Sequence, residues 1–379
     1  MVGGRRHFHV ITPGDHFSPR TGSAVPTVVH GLAAAVAEPR SAVVVARGTY
    51  ADHYDSADVV EYEADPVPFG APRRADPFVG LLGLARPEIG RTWRATLAGQ
   101  RDWPEAYVLG HNAPQLMRYV DTQRHVPVLY AHNELLRSYP RWETARTLGG
   151  THRIVCVSAY LADRTAARLP RRIADRIRVV GNGVDTEAFH PAWELRDTER
   201  MTVLFVGRTI PDKGVDVLLR AAALLATDAI EILVLGSQNF DPHAPLSPYE
   251  SSLRELAAAS RTPVRFLPTV GRHRIPDVLR TADVLVVPSR WPEPYGLTVT
   301  EGMATGIPVV ASAVGGIPEA LGGSGILVPP DDPDALVDAL RGLADDPAER
   351  RRLGAAAREH AVTHDWRWAR RELDAALSD

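Results

Sequence analysis

Short β-branched runs alternate along this chain with alanine- and leucine-rich stretches whose apolar positions recur at helical spacing. A continuous apolar run of a few residues marks a strand buried on both faces, and its alternation with helices predicts βαβ units and parallel sheets. In the first half the expected strands are Phe8–Thr12, Ala42–Ala46, Ala106–Leu109, Val126–Tyr130, Arg153–Val157 and Ile177–Val180. A second series runs Thr202–Val206, Glu231–Leu235, Val264–Leu267, Val284–Val287, Val309–Ala311 and Ile326–Val328. Each series reads as one α/β, Rossmann-like doubly wound domain. Between them, residues 182 to 200 join the turn chemistry of Asn182-Gly183-Val184-Asp185 to a polar, aperiodic stretch, which places a linker there. Residues 65 to 101, with Pro66, Pro68, Pro72, Pro77 and Pro87, read as a long irregular excursion of the first domain. Residues 332 to 379 read as helices in which Trp366 and Trp368 are packing anchors. The expected division is 1–185, 186–362, and a terminal helix over 363–379 that returns to the first domain.

Composition narrows the function classes. With 379 residues, 45% hydrophobic and 23% charged, the chain can bury two ordinary cores and is neither disordered nor fibrous. No apolar stretch approaches the roughly 20 residues needed to cross a bilayer. The first nine residues are short and polar, unlike a secretory leader, so the expectation is a cytoplasmic protein with no integral membrane segment. Cys156 is the only cysteine, which rules out an internal disulfide and suits a reducing compartment. A net charge of -3 and a pI near 6.5 argue against a nucleic-acid partner. The run from Arg164 to Arg178 holds six arginines; it is read first as a solvated face and second as a patch for anionic lipid or another polyanion.

In doubly wound sheets ligands bind beyond the carboxyl ends of the strands, so the loops after strands are where chemistry is sought. Of 43 Lys and Arg residues a single one is lysine, Lys213, leaving 42 arginines. An ammonium is a compact point charge and a guanidinium a planar fork, so a lone lysine marks a position where the two are not interchangeable. It stands in Gly207-Arg208-Thr209-Ile210-Pro211-Asp212-Lys213-Gly214, after an apolar run and before a helical pattern, so two cations flank a strand-to-helix turn. After the strand Val284–Val287 comes a Pro-bounded loop with Glu293, then a helix starting near Gly296 with Glu301 one turn inside. Such a helix start offers free N–H groups and a positive dipole to phosphate, and Glu301 can accept hydrogen bonds from a diol. In the first domain the loop from Pro13 to Ala24, with Gly22 ahead of a helix, could let backbone amides approach an anion. It lacks the Gly-x-Gly-x-x-Gly of a nicotinamide oxidoreductase.

Together these residues resemble retaining glycosyltransferases of glycosyltransferase family 4, whose fold is GT-B, with two Rossmann-like domains facing across a cleft. The resemblance runs over nearly the whole chain. It is carried by Glu293 and Glu301 with seven residues between them, Gly207-Arg208 with Lys213-Gly214, Asn182-Gly183-Val184-Asp185 with Phe189 and Pro191, and Gly315-Gly316-Ile317-Pro318-Glu319. It implies that Arg208 and Lys213 hold the donor diphosphate, that Glu293 faces the transferred sugar, and that Glu301 binds the ribose. Amides around Gly296, Leu297 and Thr298 would add to the phosphate cradle, and the loop near Gly22 would cover the other side. Tyr295 stands where the family more often has phenylalanine, and Ser23 where it often has a second glycine. No metal is needed for this chemistry, no metal-binding Asp-x-Asp is assigned, and no cofactor beyond a nucleotide-sugar co-substrate is expected.

Two histidines compete for a place beside the donor sugar, where the family commonly has one: His111, in Gly110-His111-Asn112, is preferred, with His132 and Asn112 as acceptor-side candidates. His7, His9 and His53 are left unassigned, and the loop Pro268 to Arg274 is expected to meet the nucleobase through its backbone. Donor base, sugar and acceptor are not read from these motifs. Among donors a UDP-sugar, UDP-GlcNAc or UDP-glucose, leads the expectation. The arginine- and alanine-rich composition suggests a high-GC actinobacterium, hence small polyol, aminocyclitol or antibiotic-intermediate acceptors. A homodimer stays open. The competing readings are a peripheral membrane glycosyltransferase acting on lipid or polysaccharide, and a catalytically silent relative.

Overall fold

The computed structural model describes residues 5–20, 22–48, 50, 52–64, 74–192, 200–238 and 245–379. The chain divides into two compact units, one running through Asn182 and including Trp366–Asp379, the other Gly183–Asp365. The first unit is built on seven strands: β1 (Arg6–Val10), β2 (Ala42–Ala46), β3 (Asp58–Tyr62), β4 (Ala106–His111), β5 (Val126–Ala131), β6 (Arg153–Cys156) and β7 (Ile177–Val179). They form one sheet in the order β3-β2-β1-β4-β5-β6-β7, every neighbouring pair parallel. The second unit carries β8 (Met201–Val206), β9 (Ile230–Leu235), β10 (Val264–Leu267), β11 (Val284–Val287), β12 (Val309–Ser312) and β13 (Ile326–Val328). Their order, β10-β9-β8-β11-β12-β13, is again wholly parallel. In each sheet the strand order reverses beside the first strand, between β1 and β4 and between β8 and β11, the geometry that opens a crevice at the carboxyl ends.

Parallel central strands must be apolar on both faces, and Val43, Val44, Val108, Leu109, Val203, Leu204, Val284 and Leu285 are buried. The cores differ in kind. In the second unit the helix Val215–Leu225 buries Val215, Val217, Leu218, Leu219, Ala221, Ala222 and Leu225 against strands whose buried side chains are aliphatic apart from Phe205, each large side chain contributing roughly 1.5–3 kcal/mol. The first unit buries aromatic bulk, Phe8, Phe17, Trp93 and Tyr130, with Phe8 stacked on Trp103 at 4.4 Å. Its helix Ala24–Ala34 packs against the terminal helix Trp366–Ser378, where Gly31 lies under the Trp366 ring.

Two expectations are corrected. β3 was not foreseen; it is an edge strand with exposed Asp58 and Glu61 and lacks a continuous apolar run. The excursion is not irregular from Ala75 on, since it folds into the helices Ala75–Leu81 and Pro87–Thr96, Pro87 taking the first-turn position where a missing N–H costs nothing. Its prolines 66, 68 and 72 lie outside the described residues, as do residues 193–199 of the expected linker. The rest of that linker is fastened to the second unit, where the Arg358 guanidinium donates to the carbonyls of Thr186, Phe189 and Ala304.

Candidate functional site

The loops after β8 and β11 are stitched together across the reversal of strand order. The Asp212 carbonyl accepts hydrogen bonds from the amides of Arg290 at 2.9 Å and Trp291 at 3.1 Å. Gly214 turns the chain with φ +67, and a Cβ there would stand 1.9 Å from the Pro288 carbonyl oxygen, so only glycine allows the two loops this approach. The Lys213 ammonium thereby reaches the other loop, with Nζ 2.9 Å from Glu293 Oε1. Its side chain is 27% exposed and that of Glu293 13%. Glu293 is also held by the Ser289 hydroxyl, which donates to the same oxygen, and its carbonyl accepts the Gly316 amide at 2.7 Å. Gly315, at φ +59, has no room for a side chain, because a Cβ would lie 2.2 Å from that carbonyl oxygen.

Next along the chain, Gly296 caps the helix Leu297–Ala304 without a side-chain acceptor, leaving the positive helix end to other partners. Glu301 is buried in this helix and ion-paired with Arg272 from the loop after β10. Tyr295 is buried, and burial followed by the nearby Glu319 charge raises its phenol pKa. Arg208 is exposed beside Thr209, whose hydroxyl donates to Glu250 at 2.6 Å. Behind Lys213, Arg290 grips Asp216 at 2.7 and 2.6 Å and Asp331 at 2.8 Å, and its hydrogen bonds to Asp216 raise its pKa further.

In the first unit, three histidines line up across adjacent strands. His111 ends β4, His132 follows β5, and His9 lies in β1. His9 Nδ1 is 2.9 Å from His111 Nε2, and His111 Nδ1 is 2.8 Å from His132 Nε2. Burial lowers all three pKa values, His132 to about 3; for His9, also about 3, the Arg370 charge adds to burial. Asn112, with φ +53, turns its side chain so that Oδ1 accepts the His132 amide at 2.8 Å. Gly22 is exposed ahead of the helix Ala24–Ala34.

The profile described as "Glycosyltransferase Family 4" matches residues 25–188, and that described as "Glycosyl transferases group 1" matches residues 186–360. The chain belongs to glycosyltransferase family 4. Among relatives of this family 4 chain, a D-inositol 3-phosphate glycosyltransferase of Corynebacterium glutamicum is 37% identical over 54% of the chain and 52% of that protein. An alpha-maltose-1-phosphate synthase of Mycolicibacterium smegmatis is 35% identical over 60% and 62%. The chain spans about half the length of the first relatives it matches. Solved structures share the fold: Anabaena HepE in complex with UDP and glucose superposes with TM-score 0.72 at 17% identity over 99% of this chain and 100% of that one. Sucrose-phosphate synthase from Thermosynechococcus elongatus gives 0.73 at 22% identity, over 97% of both.

In this family 4 chain the structure brings Lys213, Glu293 and the Gly296 helix end together and sets Glu301 one turn further on. It separates the two histidine candidates: His111, preferred from sequence, is enclosed between two other rings, and His132 holds the open end. Sequence reasoning missed Ser289, Arg272, Arg290 and His9. Ser289 could have been suspected from its place between a strand end and Glu293, and His9 as a polar residue inside an apolar central strand. The one Asp-x-Asp of the chain, Asp332-Pro333-Asp334, is a helix cap, Asp332 Oδ1 accepting the Ala335 amide at 2.9 Å. Among the described residues no group of three His, Cys, Asp or Glu is arranged to hold a metal, and no helix is long and apolar enough to cross a membrane.

Proposed function

We propose that the chain is a retaining glycosyltransferase that moves a hexose or N-acetylhexosamine from a UDP-sugar to a hydroxyl of a small acceptor. The observation that carries this reading is the approach of Lys213 Nζ to Glu293 at the β8–β11 crevice, beside a helix end with no side-chain cap. Breaking a sugar–diphosphate bond builds negative charge on the leaving phosphate and positive charge on the anomeric carbon. Lys213, Arg208 and the amides of Leu297 and Thr298 are the groups that would meet the first, and fixed charges aimed where charge develops are the largest catalytic contribution. Glu293, fastened by Ser289 and Gly316, would face the sugar and orient its hydroxyls; Glu301, held by Arg272, would take the ribose. In a same-face displacement the acceptor oxygen bonds to the anomeric carbon as the bond to phosphate breaks, and the acceptor proton passes to the departing phosphate oxygen. No carboxylate need act as nucleophile.

Names of relatives support the acceptor class, since inositol 3-phosphate is a small polyol phosphate, and the UDP bound to HepE supports the donor base. The membrane-docking reading loses support from part of the arginine run, since three of its six members are engaged within the chain. Arg164 is paired with Glu134, Arg176 donates to the Gly149 and Thr151 carbonyls, and Arg178 faces Asp379.

The test is a thermal-shift panel with UDP, GDP, ADP and dTDP, followed by transfer kinetics. UDP should stabilise the folded state through preferential binding by about 2.7 kcal/mol at a hundredfold excess over Kd, and so raise the melting temperature. Lys213→Ala should abolish the shift and lower kcat by about a hundred- to a thousandfold. Full turnover by Lys213→Ala, or no shift with any nucleotide, would remove the assignment.

A further inference from the structure

The row His9–His111–His132 has a direction. Each ring is neutral at ordinary pH, and a neutral imidazole has one N–H and one lone pair. Two hydrogen bonds in series through His111 therefore allow two arrangements, with all three protons on Nδ1 or all three on Nε2. The closed end of the row decides between them. His9 Nε2 is buried with no hydrogen-bond partner among the described residues. With protons on Nε2 that orphan would be an N–H, whereas with protons on Nδ1 it is a lone pair, and buried orphan acceptors are better tolerated than orphan donors. At the other end the row opens only at His132, which is 6% exposed while His111 and His9 are 0% exposed. The Asn112 side chain fixes the backbone beneath that ring by accepting the His132 amide.

We propose that His9 and His111 are positioning residues which lock His132 as its Nδ1–H tautomer, so that the first unit presents a neutral hydrogen-bond donor to a substrate oxygen. The substrate half of this inference rests on the transferase reading above; the tautomer half does not. A donor of fixed direction selects for an oxygen acceptor, a hydroxyl or a phosphoryl group, and rejects an analogue that lacks it, because the N–H would be left unpaired. The row also explains why His111, the last residue of β4, cannot itself be the contacting ring: both its nitrogens are engaged.

The experiment is a long-range proton–nitrogen correlation spectrum of the full chain with ¹⁵N-labelled histidine, without substrate. His132 should carry its proton on Nδ1, and so should His9 and His111. In His9→Leu the His132 ring should become a mixture of tautomers, while His9→Asn, whose amide nitrogen can stand in for Nδ1, should keep the lock. In transfer assays His9→Leu should lose about tenfold in kcat with KM nearly unchanged, as when an orienting partner of a functional imidazole is removed, and His9→Asn should recover it. An Nε2–H His132 in the unaltered chain, or a tautomer indifferent to His9→Leu in a folded variant, would overturn the proposal. The spectra decide the lock alone, so failure of the transferase reading would appear separately, as absence of transfer by the unaltered chain.

Discussion

At the β1–β4 reversal of the first unit stand His9, His111 and His132, whereas at the β8–β11 reversal of the second stand Lys213, Glu293, Arg290 and Asp216. The strand plans correspond, yet the rings are kept neutral by burial, whereas Arg290 and Asp216 are held as ions by their mutual hydrogen bonds. Neutral rings can donate or accept at fixed positions without attracting counterions; paired ions hold a positive charge ready for an anion while remaining satisfied without one. A division of labour between recognising hydroxyls and receiving a diphosphate would use just this contrast.

Acid should separate the two units most strongly. His9 and His132 have folded pKa values near 3 against an ordinary 6.5, so unfolding takes up protons below 6.5. Their stabilising contribution is complete above pH 6.5 and is lost as pH falls toward 3, about 2 kcal/mol for each independent ring between pH 8 and pH 5. The buried Trp93 and Trp103 report on the first unit. Their fluorescence transition should shift to lower denaturant at pH 5, ahead of amide exchange in β8 and β11; simultaneous loss of both units would break the comparison. Gly214→Ala should come next. It forces a left-handed alanine against the Pro288 carbonyl, and about 3 kcal/mol of second-unit stability should disappear in denaturant titration, with donor affinity falling as Lys213 is displaced. Unchanged affinity would mean that the loop spacing does not set the ammonium.

The smallest effect sharpens the picture of the charged side. Burial alone would raise the pKa of Glu250, but bonds from Thr209, from the Ser247 and Gln238 amides and from the Ser247 hydroxyl bring it to about 2. That contribution is present above the unfolded value near 4.5 and fades as pH falls through 2. Glu250→Gln should therefore cost about 2 kcal/mol at pH 7, with the gap to the parent closing between pH 4.5 and 2 in urea melts.

Strands buried on both faces announce themselves, and Ala42–Ala46 and Val284–Val287 lie where the apolar runs put them. The edge strand Asp58–Tyr62 does not, because Asp58 and Glu61 face water and interrupt its apolar run. Likewise Glu293 and Glu301 were legible, since one loop and one helix fix their relation. The contact of His9 with His111 joins residues 102 apart, and Arg290 with Asp216 spans 74, distances over which only the sheet order makes neighbours. Which histidine ends the row was equally illegible, for it depends on what packs behind.

Lys213 gives the chain a chemical property besides its electrostatic one. Apart from the α-amino group it is the single primary amine of the protein, and more than a quarter of its side chain is open. Acylating reagents and aldehydes followed by borohydride therefore have one side-chain amine target, so a fluorophore or affinity label introduced through amine chemistry lands at the β8–β11 crevice by composition alone.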